Sequence, residues 1–170
     1  SLIEIQIPSN VKSIGLAAFS DCINLKQVDF QYNIKQIKNE AFKGCVSLQK
    51  INISSVSFIG SYSFYKCSAL KEISISPNLN SIEEFSFYKC TSLEEIMIPS
   101  SVQIIESYAF SECTSLKTIE ISSSLTTIKS DAFSGCTLLN TIELPKYLKC
   151  IDSFVFKGCH SLSHIIIPSS

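Results

Sequence analysis

Cysteine returns in this chain at positions 22, 45, 67, 90, 113, 136 and 159, separated by 23, 22, 23, 23, 23 and 23 residues. Three residues after each comes a leucine, at 25, 48, 70, 93, 116, 139 and 162, with Leu2 opening an earlier unit. Three further on stands Ile5, Val28, Ile51, Ile73, Ile96, Ile119, Ile142 or Ile165, and two beyond that a second large apolar residue, as in Ile7, Ile53 or Ile98. A further apolar pair follows, Val11 with Ile14 or Val102 with Ile105, and each complete unit closes on Phe19, Phe42, Phe64, Phe87, Phe110, Phe133 or Phe156. A fixed period of this length is the mark of stacked repeats, and it constrains the fold more than any local propensity. The pattern L-x-x-I-x-I-P-x-S-V-x-x-I-x-x-x-A-F-x-G-C-x-S fills residues 1–170. It makes one domain of about 7.5 repeats of 22 or 23 residues, with no linker.

The end of L-x-x-I-x-I alternates and is rich in β-branched residues, so it predicts a short strand. Pro8, Pro99, Pro145 and Pro168 follow such segments directly and end them by removing a ladder donor. V-x-x-I predicts a second extended piece, and A-F-x-x-C a tight helical or 3₁₀ turn back. One unit alone leaves its apolar side chains uncovered; stacked units bury them against the same residue types above and below. At roughly 4.8 Å per stacked strand the rod is about 36 Å long.

These residues resemble the leucine-rich repeat of BspA-like proteins, a class found in surface proteins of bacteria and single-celled eukaryotes. The resemblance implies a leucine-rich-repeat solenoid of the α/β horseshoe class. Such a solenoid is mostly β with short 3₁₀ or helical turns, a right-handed curved superhelix with a concave parallel sheet. It further implies a protein-binding or adhesion role at a cell surface, as in surface antigens that bind host or matrix proteins, and no enzymatic activity. Two departures stand out: the 45–66 unit is one residue short, losing a position just before Val56, and Ser63, Ser86 and Val155 replace the usual alanine.

Composition narrows the function classes. A net charge of −1 gives no basic face of the kind a nucleic-acid binder shows. No apolar run approaches the roughly 18 residues of a membrane span, and no signal-peptide pattern opens the chain at Ser1. A cysteine recurring at one phase faces the interior beside phenylalanine and leucine, where it packs as a small hydrophobe. Ligand pairs two to four residues apart, which structural zinc requires, are missing, and seven equivalent cysteines cannot each have a catalytic base. Cys150 falls out of phase in the outer segment, the position of an exposed free thiol. His160 and His164 lie across a turn and a strand, with no accompanying carboxylate motif. Neither a G-x-S-x-G elbow nor a glycine-rich phosphate loop occurs. No cofactor or metal is expected.

What remains is polar. Asn10, Asn33, Asn78, Ser101, Ser124 and Ser170 share a phase where short side chains can satisfy bending backbone. Asn52-Ile53-Ser54 is an N-glycosylation sequon whose Ile53 belongs to the core. Tyr62, Phe85, Tyr108 and Phe154 either cover the outer edge of the core or form an aromatic ridge. The x residues of L-x-x-I-x-I point away from the core. In the later units they include Glu72, Glu94, Glu95, Met97, Glu120 and Glu143, a row that leans acidic and is the expected partner-binding surface. The leading expectation is therefore a surface or secreted binding module; an intracellular scaffold is the alternative, since core thiols suit a reducing compartment. The interior pattern runs to both ends without polar caps, which predicts a piece of a longer array or end-to-end association.

Overall fold

The computed structural model describes residues 2–30 and 34–167. Asn33, Pro168 and Ser170 lie outside them. Seven coils, closing on Cys22, Cys45, Cys67, Cys90, Cys113, Cys136 and Cys159, stack in parallel and are followed by one further strand. The long-strand face is made by β1 (Glu4–Gln6), β3 (Gln27–Asp29), β5 (Lys50–Ile51), β8 (Glu95–Ile98), β10 (Thr118–Ile121), β12 (Thr141–Glu143) and β14 (His164–Ile166). A second face carries the two-residue strands β2 (Ser13–Ile14), β4 (Gln36–Ile37), β6 (Phe58–Ile59), β7 (Ser81–Ile82), β9 (Ile104–Ile105), β11 (Thr127–Ile128) and β13 (Cys150–Ile151). Pairing is parallel throughout and in repeat register: Ile5 lies opposite Val28, Ile96 opposite Ile119, and Ile142 opposite Ile165. Along β8 the residues alternate exposed and buried, because successive side chains on a strand point to opposite faces.

The third side is a turn edge, and here the expectation of a helical or 3₁₀ turn is corrected. The A-F-x-x-C segments are successive hydrogen-bonded turns, and no helix occurs among the described residues. The cause is backbone geometry. Each coil places a residue with left-handed φ five positions before its cysteine, such as Tyr62, Phe85 and Tyr108, and another one position before it. Two left-handed residues within five positions interrupt any right-handed run. The turns are bonded coil to coil instead: the N–H of Phe42 donates to the Ser63 carbonyl at 2.8 Å, and that of Phe87 to Ala109 at 2.8 Å.

The core is a set of columns. Phe19, Phe42, Phe64, Phe87, Phe110, Phe133 and Phe156 stack with centroids 5.2 to 6.0 Å apart and planes within 9°. Those separations mean offset stacking, the arrangement that aromatic quadrupoles favour. Leucine and cysteine columns run beside it, completely buried in the middle coils, with a nearly buried isoleucine column. In the end coils Phe19, Cys22, Phe156 and Cys159 are only partly buried, having a neighbouring coil on one side.

The long-strand ladder is interrupted at residues 71–76 and between β10 and β12, and one junction is unpaired on both faces. Between the coils closing on Cys67 and Cys90 neither strand face is paired: residues 71–76 form no strand beside β5, and β6 does not pair with β7. The junction lies directly after the short 45–66 unit. That unit is itself paired on both faces with the coil before it, through β3 with β5 and β4 with β6. Backbone bonds cross the junction at Ala69 to Val46 (3.1 Å) and along the turn edge, at Tyr62 to Glu84, Phe64 to Ser86 and Lys66 to Tyr88 (3.0, 2.8 and 2.7 Å). The short coil instead lies tight against the preceding one: a Cβ on Gly60 would stand 2.6 Å from the Asn39 backbone nitrogen.

Candidate binding surface

Inner positions of the long strands are isoleucine or valine locked into the core, so their outward neighbours are held in rows one coil apart. One row contains Gln27, Lys50, Glu72, Glu95 and Thr118; the next contains Asp29, Asn52, Ser74, Met97, Glu120 and Glu143, as the strand registers show where strands are formed. Glu72 and Glu95 thus stand in one row, and Met97, Glu120 and Glu143 in the adjoining one, all exposed. Met97 is 62% exposed at the centre of the face, a large apolar side chain with no cover.

Glu94 is set apart from the other five. It belongs to the rim row with Lys71 and Lys117, and its carboxylate accepts a bond from the Lys117 ammonium at 2.7 Å. That bond holds its carboxyl below the usual carboxylate range. Both side chains are more than half exposed, where an ion pair contributes little to stability.

At the unpaired junction the face opens into a hollow of about 520 Å³, lined by residues of four coils including Lys50, Asn52, Glu72, Glu95, Met97 and Glu120. Ile73 and Ile75 form part of its floor while staying in the core. Its ionisable rim is three carboxylates against one ammonium, so the acidic lean of the sequence is concentrated there. Asn52 of the sequon has its side-chain oxygen engaged by the Ser54 N–H at 3.0 Å.

The cysteines do something that sequence reasoning missed. Each thiol from Cys45 onward in the in-phase column donates to the phenylalanine carbonyl of the coil before, as Cys67 to Phe42 (3.2 Å), Cys90 to Phe64 (3.3 Å) and Cys113 to Phe87 (3.2 Å). That carbonyl already accepts the backbone N–H of its own coil's cysteine, so the thiol supplies its second donor. Burial pushes the Cys45 thiol up to about 12 and those of Cys67, Cys90, Cys113 and Cys136 well above the ordinary value. The expectation of seven inaccessible cysteines is corrected to five, since Cys22 and Cys159 are partly exposed in the end coils; Cys150 is exposed.

The polar ladder forms only in part. Ser124 donates to the Ser100 carbonyl of the preceding coil, whereas the buried Ser101 hydroxyl finds no partner. His164 shares a hydrogen bond with Ser163 at 2.9 Å, and among the described residues no three His, Cys, Asp or Glu side chains gather into a metal-sized group. Tyr62, Phe85 and Tyr108 do stack, at 4.7 and 4.6 Å, but Phe154 stands outside their column because Asp131 occupies the coil between. Tyr65 and Tyr88 join the cluster, stacked at 5.0 Å. Their signal was the repeated Tyr-Lys-Cys at 65–67 and 88–90.

Comparison with known proteins agrees with this geometry. The family described as BspA type leucine rich repeat region matches in 6 copies, over residues 1–117 and 80–170. A leucine rich repeat protein of T. pallidum, TpLRR, superposes with a TM-score of 0.90 at 28% identity, covering 95% of this chain and 78% of that one. A leucine-rich repeat protein from Eubacterium ventriosum gives 0.80 at 27% identity, over 93% of this chain and 43% of the other. A leucine rich cell surface protein from Faecalibacterium prausnitzii shares the fold at 0.56 and 23% identity, over 99% and 60%. The chain therefore spans under half of the Eubacterium protein. A search of the curated proteins finds no match.

Proposed function

We propose that this chain, which belongs to the BspA-type leucine-rich repeat family, is a non-enzymatic module that binds a protein through its long-strand face. The observation that carries the reading is the pair of outward rows around the hollow. Glu95, Glu120 and the bare Met97 stand there on the paired strands β8 and β10, with Glu72 on the segment beside them. Side chains on a rigid support lose little freedom on binding, which favours affinity. Three carboxylates select a partner with basic groups, and methionine adapts to an irregular apolar contact. A cell-surface setting is supported by the Faecalibacterium cell surface protein that shares the fold, and in that setting the partner is a host or matrix protein.

The test is a titration against a panel of purified matrix proteins. Glu95→Lys with Glu120→Lys should weaken binding by at least about tenfold and reduce the salt dependence of association. Lys38→Glu with Lys129→Glu, on the second face, should leave it unchanged. The opposite result, with binding lost only in the second pair, would remove the long-strand face from consideration.

A further inference from the structure

The turn edge carries a surface of another kind. The hexapeptides YSFYKC (62–67) and FSFYKC (85–90) place aromatic residues in two columns of adjacent coils. Tyr62, Phe85 and Tyr108 form one and Tyr65 with Tyr88 the other, and the columns meet at tilted contacts of 5.5 to 6.5 Å. All five rings are half-buried. Because they stack along the solenoid axis, they cover one another's faces and turn ring edges outward, while the Tyr108 hydroxyl bonds to Asp131 of the next coil. Protein side chains pack against such edges, and tyrosine is enriched at the centres of interfaces.

Beside the rings runs a charged column, the residues one position before each cysteine. Through the middle coils it reads Lys66, Lys89, Glu112, Gly135. The first three hold left-handed φ of 60°, 58° and 62°, in a position that Gly44, Gly135 and Gly158 occupy in other coils. Charged side chains thus stand where the backbone favours glycine. None of the three has an ion-pair partner among the described residues.

The order of this column is complementary to its own reverse. A second copy turned by 180° about an axis in the plane of the edge, perpendicular to the stack, lays each column on itself running backward. With that axis between the coils of Lys89 and Glu112, each Lys89 faces the other copy's Glu112, and each Phe85 faces the other copy's Tyr108. Lys66 then faces the space left by Gly135. A parallel arrangement would instead lay the charged column on the aromatic one and give neither Lys89 nor Glu112 a counter-charge. We propose that the chain forms an antiparallel two-fold dimer through this turn edge, with Phe85, Tyr88 and Tyr108 at its centre and two Lys89–Glu112 pairs fixing its register. Such an isologous contact closes on itself and makes no fibre. It lies away from the long-strand face and does not depend on what that face binds.

Sedimentation velocity over a dilution series tests it. A strip this narrow falls short of the roughly 800 Å² per partner of a standard interface, so dissociation on the order of 0.1 mM is expected. Lys89→Glu and Glu112→Lys should each weaken the dimer at least about tenfold, and the double reversal should restore it to within about threefold. Circular dichroism confirms that the variants fold, and the wild-type dimer should weaken with added salt. A wild type that stays monomeric to about 1 mM, a dimer indifferent to the single reversals and to salt, or a double reversal that restores nothing would each overturn the proposal.

Discussion

The choice of cysteine in the repeat follows from a carbonyl with two lone pairs. The Phe87 carbonyl takes the N–H of Cys90 and the thiol of Cys113, in a place where water cannot reach. Cys113→Ala removes a donor and opens a small void, and should cost about 1–2 kcal/mol in a denaturant titration. Labelling under native conditions should modify Cys150 first, Cys22 and Cys159 next, and the five buried thiols only on unfolding; early reaction at Cys90 would refute the buried column. These thiols also set an alkaline limit. Unfolded cysteines titrate near 9, whereas Cys45 is raised to about 12 in the fold. Where the folded value lies above the unfolded one, the contribution is intact below the unfolded value and is lost as pH climbs toward the folded one. Denaturant midpoints should hold to about pH 9 and then fall, and a rise across that window would contradict the burial. The position before each cysteine obeys a different constraint. Gly135 has φ +75°, and the Glu112 side chain lies over it. Gly135→Ala should therefore destabilise by about 1 kcal/mol, and Lys66→Gly should relieve strain of similar size.

Within one coil, the phenylalanine is the anchor. Phe110 is completely buried between Phe87 and Phe133, at 5.2 and 5.5 Å. Phe110→Ala should cost about 3–5 kcal/mol, and Glu95→Ala on the exposed row under about 0.5 kcal/mol. Denaturant midpoints in the reverse order would mean that the strands face the other way. The short coil offers a sharper experiment. Inserting one residue between Ser54 and Ser55 restores the 23-residue period, and should bring residues 71–76 into the ladder. Hydrogen exchange at Ile73 and Ile75 should then slow markedly; unchanged exchange would show that the junction has another cause. Much of this was legible in the sequence, because a period fixes phase, and phase fixes which side chain enters the core. Missed features arise between coils rather than within them. The left-handed pairs that turn A-F-x-x-C away from a helix depend on bonds to the next coil. Tyr65 and Tyr88 matter only because their coils are adjacent. The missing residue before Val56 was visible, but the break in both sheets after that coil required the stack. Glu94 shows the same limit: its row and phase were readable, but its capture by Lys117 was not.

Over the whole molecule, stability is a sum over neighbouring coils, so it is lowest where a neighbour or a ladder is missing. Exchange should be fastest in the first and last coils and at the junction between the coils of Cys67 and Cys90; uniform protection along the chain would contradict that distribution. At the junction the aromatic stacks of Tyr62 on Phe85 and Tyr65 on Tyr88 lie on the turn edge, where most of the crossing backbone bonds persist. Replacing both tyrosines by serine should thus split the unfolding transition, separating the first three coils from the rest. The ladders have one more consequence, which is mechanical. Their hydrogen bonds point along the stack, so a load applied between the two ends of the chain crosses the coils in series and opens them one by one, as a zip. Each coil let go adds up to about 75–80 Å of slack from its 22 or 23 residues. Under tension the rod becomes an extensible tether that lengthens in steps and holds its grip, and single-molecule stretching should record those steps as a regular sawtooth.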